Sequence, residues 1–335
     1  MAYETGTATN MTDFCAKLYA FLTGDPATPG RDWEALVYRN TRDTALLEPF
    51  TDTRKEWVLK NTGLSKEEEV LVGIREWEYP AGSAWGLDLN CYTAWVTGSR
   101  WNDNVLSHNR ALYDATWKRY TLHPMLPLTN ASMAYWFFSN KQRIICVVRA
   151  NGRYHSMYLG FGNRLGDPLE YPYPLVACGG LNSNLNASST AQEMRACWDP
   201  WVSGVAGLTD CPMVVGPDNS YCTVNGWPWN GLLFCPSYRG ITSDAVFISY
   251  GTIIPDYLGR QSLSPIYLIL NNGTLMILDG LQRIFGTGLA SEDIVIADGT
   301  QHVVFHNIGR TTITDFAVVD TGMTTTTTTT TTTQP

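Results

Sequence analysis

Charged residues are scarce in this chain: Asp, Glu, Lys and Arg make up 16% of 335 residues, while hydrophobic residues make up 44%. That balance excludes disorder for most of the chain, because a segment escapes collapse only when its hydrophobicity is low and its net charge high. Basic residues are the scarcer sign, 23 against 31 acidic. The resulting net charge of −8 excludes a general nucleic-acid binder, whose affinity comes largely from Lys and Arg neutralising phosphates. Long apolar runs are missing as well. Ala134–Phe138 and Ile144–Val148 fall far short of the roughly 20 residues that carry a helix across a bilayer, so a soluble protein without a membrane partner is expected. Met1–Asn10 carries Glu4 and no Lys or Arg, which is the wrong charge for an export leader.

Motifs that announce chemistry are absent too. No G-x-x-x-x-G-K-[ST], no G-x-G-x-x-G ahead of a helix, no H-E-x-x-H and no G-x-S-x-G occurs, so phosphate loops, dinucleotide folds, zinc proteases and esterase elbows lack support. Glu67-Glu68-Glu69 reads as a solvated turn ahead of a strand rather than as a glycosidase carboxylate pair. His302 and His306 lie four apart in a predicted strand, on one face but too distant to chelate as a pair. The expectation is a non-enzyme with no catalytic residues, no metal and no cofactor.

The eight cysteines are Cys15, Cys91, Cys146, Cys178, Cys197, Cys211, Cys222 and Cys235. None has the C-x-x-C spacing that brings two thiolates to one metal. Cys178, Cys197, Cys211, Cys222 and Cys235 crowd one loop-rich segment and are the candidates for disulfides, although a reducing cytosol would keep them as small buried hydrophobes.

What is present reads mainly as β structure: antiparallel sheets, meander or sandwich-like, with a short N-terminal helix and a long loop-rich middle segment. Phe14, Leu18, Phe21 and Leu22 recur at helical spacing between Asn10, which can cap the start, and Gly24, which can close the end in the left-handed conformation. Strands are expected at Trp33–Tyr38, Lys55–Lys60, Glu69–Tyr79 and Trp85–Val96. In the last of these, Trp85, Leu87, Leu89, Cys91 and Trp95 fall on one face against Asp88 and Asn90 on the other, which predicts a solvated face. Ala134–Phe161 reads as a three-stranded meander whose second turn, Asn151-Gly152, supplies positive φ angles. Further strands are expected at Asp244–Tyr250, Ile266–Leu270, Thr274–Leu278, Ile294–Ala297, His302–Asn307 and Asp315–Val319. Five segments follow: an arm and helix at 1–32, a β domain at 33–175, a Cys- and Trp-rich segment at 176–240, a β module at 241–320 and a threonine tail at 321–335, disordered unless a neighbour orders it.

Trp198, Trp201, Trp227 and Trp229 sit among Asn, Gly and Pro in the middle segment. Flat rings there can anchor a protein interface, staple loops to a sheet, or stack on sugars of a host surface glycan. Phe14 and Leu18, on a helix that could dock with Met1–Asn10 onto a neighbour, are the other interface candidates.

Several blocks carry a resemblance. Met1-Ala2-Tyr3-Glu4-Thr5-Gly6-Thr7-Ala8 with the Phe14–Leu22 helix resembles the start of a group of tailed-bacteriophage virion structural proteins. Tyr135-Trp136-Phe137-Phe138, Tyr158-Leu159-Gly160-Phe161 and Glu170-Tyr171-Pro172-Tyr173-Pro174-Leu175 are similar to that group's central block, and Gly299–Arg310 with Asp315-Phe316-Ala317-Val318 to its closing hairpins. The Cys178–Cys235 segment and the threonine tail are not parts of that pattern. The resemblance implies a β-rich component of the tail, baseplate or neck region of a virion. It would assemble in the host cytoplasm with other copies of itself and with other virion proteins. A receptor- or carbohydrate-binding tail module is the alternative, and a cell-wall or polysaccharide hydrolase the third reading.

Overall fold

The computed structural model describes residues 1–39, 55–66, 68–79, 84–97, 113–114, 119–120, 125–167, 169, 171, 173–179, 213–215, 221–223, 232–234, 263–270, 273–285, 289–297, 299–306 and 315–324. In chain order these form β1 (Ala2–Ala8), α1 (Met11–Thr23), β2 (Glu34–Arg39), β3 (Glu56–Asn61), β4 (Val70–Tyr79), β5 (Ala84–Tyr92), β6 (Tyr113–Asp114), β7 (Arg119–Tyr120) and β8 (Met125–Leu128). There follow β9 (Met133–Ser139), β10 (Arg143–Ala150), β11 (Arg153–Phe161), β12 (Asn163–Arg164), β13 (Leu175–Cys178), β14 (Met213–Val215), β15 (Tyr221–Thr223) and β16 (Leu232–Phe234). The last strands are β17 (Leu263–Leu270), β18 (Gly273–Phe285), β19 (Ile294–Ala297), β20 (Thr300–His306) and β21 (Asp315–Thr324). Among the described residues the chain is mainly β, in antiparallel sheets with one short helix, as its sequence pattern predicts.

Three sheets stack as layers. The central sheet has the order β1-β9-β10-β11-β13-β14-β15, one outer sheet β2-β3-β4-β5-β8, and the other β16-β17-β18-β21-β20-β19; β12 adds to β18. Alternate residues of the central strands leave for opposite cores. Phe137, Cys146, Val148, Met157 and Leu159 join Trp57, Leu59, Val72, Leu87 and Leu89 of the first outer sheet, together with Phe14, Leu18 and Phe21 of α1. Trp136, Phe138, Ile145, Val147 and Tyr158 instead meet Met276, Leu278, Leu281, Val303, Phe305 and Val319 of the second. Because both faces are covered, β9 and β10 read as almost unbroken apolar runs rather than alternating ones. Each large side chain sequestered this way contributes about 1.5–3 kcal/mol by leaving water.

The expected meander is β9, β10 and β11, paired in sequence, and Asn151 (φ 53) and Gly152 (φ 77) make the tight turn. α1 starts where expected: the Asp13 N–H donates to Asn10 Oδ1 at 2.9 Å, and Asp13 Oδ2 accepts from the Thr9 N–H at 2.8 Å. Its end differs. Gly24 has φ −85 and stays right-handed; the left-handed glycine is Gly30 (φ +94), where a Cβ would lie 2.2 Å from the Ser139 carbonyl oxygen.

Three further expectations meet a different arrangement. The face of β5 carrying Asp88 and Asn90 is buried, not solvated. Asp88 is neutralised by Arg75 of β4 at 3.2 Å, each side chain 2% exposed, and the same face carries the small core of Val58, Leu71 and Tyr92. The N-terminal arm is not a free docking segment: β1 pairs along its whole length with β9. β13, starting where a boundary near residue 175 was expected, pairs with β11 and belongs to the central sheet. The segment 176–240 contains the short strands β14, β15 and β16. The strand expected at Asp244–Tyr250 and residues 325–335 of the tail lie outside the described residues.

Candidate functional site

Phe14 and Leu18 are fully buried in the chain's own core. Phe14 meets Phe137 edge-on at 5.4 Å, so these residues hold α1 to the central sheet instead of offering a docking face. Trp198, Trp201, Trp227 and Trp229 lie outside the described residues, as do Cys197, Cys211 and Cys235 and the side chain of Cys222. Cys178 is a buried thiol, as are Cys15, Cys91 and Cys146. Burial pushes the Cys91 thiol up to about 12 and raises Cys15 well above its usual range, with the Glu76 carboxylate adding to the effect. The Cys15 and Cys91 thiols therefore stay protonated and unreactive at neutral pH.

The exposed apolar surface includes an edge. β19 ends the second outer sheet, and Ile294 and Ile296 on it are 50% and 51% exposed. Ile294 pairs with Val303 and Ile296 with Gln301, so both isoleucines share the sheet face that carries Val303 and Phe305 into the interlayer core. The apolar face thus continues past the covered area to a terminal strand, where it is available to another chain.

The densest polar constellation joins the central and second outer sheets. Asp279 of β18 accepts from Arg143 Nε at 2.9 Å, Asn140 Nδ2 at 2.7 Å and Asn163 Nδ2 at 3.1 Å. Its own N–H donates to the Tyr158 hydroxyl oxygen at 3.1 Å. Arg143, 1% exposed beside an Asp279 side chain that is 19% exposed, also donates from Nη2 to Met1 Sδ at 2.9 Å. Gly280 (φ +65) leaves room for that guanidinium: a Cβ there would be 1.7 Å from Arg143 Nη2. Burial alone would raise the Asp279 carboxyl, but the Arg143 charge and the donors of Asn140 and Asn163 outweigh it and hold the group below its ordinary 3.8. Every member is engaged in holding two layers together. Sequence reading missed this site, because Arg143 and Asp279 stand on different sheets and meet only where the two layers pack.

His302 is buried with Nδ1 3.1 Å from the Thr300 carbonyl oxygen, and the side chain of His306 lies outside the described residues. Among the described residues no group of three or more His, Cys, Asp or Glu is placed to hold a metal ion, and no helix is long and apolar enough to cross a membrane.

A cavity of about 230 Å³ opens on the outer face of the first outer sheet, lined by Leu36, Lys60, Glu69, Leu71, Trp95 and Thr97. Leu36 sits at a register shift between Ala35 and Val37 in the β2–β3 pairing. The extra residue lets Leu36 and Val37 both pack with Val58, Leu71 and Tyr92.

No protein-family model matches the chain, and no curated protein matches it.

Proposed function

We propose that the chain is a structural, non-catalytic component of a tailed-phage virion. It acts in the tail, baseplate or neck region, where copies of it assemble with one another and with other virion proteins. The observation that carries this reading is where the phage-like blocks meet. Residues 2–8 pair with the strand holding Tyr135-Trp136-Phe137-Phe138. Tyr158-Leu159-Gly160-Phe161 pairs with the strand beginning at Leu175, and the two closing blocks fall on β20 and β21, which pair with each other. Phe305 then sets its ring edge-on to Trp136 at 5.4 Å and to Phe138 at 6.4 Å. Blocks scattered from end to end of the chain therefore build one framework, which is what a shared architecture requires of its recurring residues.

Assembly needs an uncovered apolar surface with little charge, and β19 offers one, since interface cores are depleted in charge. Light scattering coupled to size exclusion tests the reading. The purified chain should run as a discrete oligomer, and Ile294→Asp with Ile296→Asp should shift it towards monomer while leaving its circular dichroism unchanged. A strictly monomeric wild-type chain would count against assembly.

A further inference from the structure

The cavity at the β2 bulge is built from parts that select a class of ligand. Its apolar lining is Leu36, Leu71 and Trp95, the last held edge-on against the fully buried Tyr92 at 5.1 Å and 71°. Its rim carries Lys60 Nζ and Glu69 Oε1, paired at 2.5 Å with the Glu69 side chain 61% exposed, and Thr97. The volume lies below the ~300–1,000 Å³ of drug-sized sites, which limits the occupant to a single small ring. The paired charges limit its sign: an anion would face Glu69, a cation would face Lys60, and a wholly apolar ring would strip water from both without replacing it. A neutral ring with one C–H face and hydroxyls at its edge satisfies every wall.

We propose that this cavity is a binding subsite for one neutral pyranose ring, with Trp95 as the stacking wall and Lys60 and Glu69 reading two adjacent hydroxyls. A vicinal diol inserts into the ion pair without leaving either charge unmatched: one hydroxyl donates to the Glu69 carboxylate while its neighbour accepts from the Lys60 ammonium. The Thr97 hydroxyl can donate or accept at the remaining edge. The C–H face lies on the indole, whose amphipathic ring suits a ligand that is apolar on one side and wet on the other. The bulge matters because it re-aims Leu36 outward and deepens what would otherwise be a flat sheet face. The inference is independent of the virion reading and of the four tryptophans in the middle segment.

Saturation-transfer NMR on the full chain tests it, using the methyl pyranosides of glucose, galactose, mannose and N-acetylglucosamine, with N-acetylneuraminic acid as a charged control. At least one neutral pyranoside should receive saturation, strongest on the C–H protons of one ring face, with the acid receiving none. Trp95→Ala should weaken binding by about tenfold or more. Glu69→Gln at the exposed rim and Lys60→Met beside it should each weaken it while the circular dichroism stays that of the wild type. These rim variants carry the test if Trp95→Ala does not fold. No saturation of any neutral pyranoside, binding unchanged by the rim variants, or equal binding of the acid would overturn the proposal.

Discussion

Replacing Asp279 with Ala should remove the acceptor on which the joint between the central and second outer sheets converges. Arg143 is 1% exposed, and losing the carboxylate leaves its charge buried with Met1 Sδ as a poor substitute acceptor. Breaking a buried ion pair from one side costs about 3–5 kcal/mol. The 19% exposure of Asp279 admits some water to the orphaned guanidinium and sets the expectation near the lower end, about 3 kcal/mol. For a chain of this size that is a fall in Tm of roughly 6 °C or more, at about 2 °C per kcal/mol. Arg143→Met alone should cost less, because Asn140 and Asn163 still satisfy the carboxylate. The double variant should recover at least about 1 kcal/mol relative to the sum of the two, since an apolar replacement of both partners removes the uncompensated charge. The acid limb gives a second readout. The Asp279 carboxyl titrates below its ordinary value in the folded chain, so its contribution is complete above the ordinary carboxylate range and is lost as pH falls through the lowered folded value. The gap in stability between wild type and Asp279→Asn should therefore close as pH drops below about 4. Urea and thermal unfolding followed by circular dichroism measure all five chains. A Tm for Asp279→Ala within a degree or so of wild type, with strictly additive single variants, would refute the reasoning.

Gly280→Ala should destabilise by about 2 kcal/mol or more, because its left-handed backbone disfavours a side chain and the added Cβ would overlap Arg143; thermal unfolding checks it. Asn10→Ala removes the cap of α1 and should cost about 1 kcal/mol in the same assay, whereas Asn10→Asp should cost little. Thiol labelling of the native chain near neutral pH should leave Cys15, Cys91, Cys146 and Cys178 unmodified, and labelling after denaturation without reductant should modify all four. Mass spectrometry of the labelled peptides decides this, and a disulfide at Cys178 would contradict its state as a buried thiol.

Local signals in the sequence found local structure. Helical spacing and Asn10 gave α1, and the Asn151-Gly152 pair gave the second turn of the meander. Ile294–Ala297 was bounded correctly because turn residues flank it on both sides. The misses were non-local. β1 was read as an arm because Ala2-Tyr3-Glu4-Thr5-Gly6-Thr7-Ala8 has no apolar alternation; its pairing is with residues more than a hundred positions away. Asp88 and Asn90 look solvated in the sequence because alternation marks polarity, not exposure, and the Arg75 partner that makes burial tolerable comes from another strand. The Leu36 bulge has no sequence signature, so neither the cavity nor the role of Trp95 was legible. The Asp279 joint has no local signature either: the packing of one sheet on another assembles it.

Mass spectrometry of gradient-purified phage particles whose genome encodes the chain tests its proposed place in a virion. Peptides from across the chain should appear in a fixed multiple-copy ratio to the other particle proteins and persist through repeated banding. Their absence from purified particles, with the chain abundant in the lysate, would contradict the account.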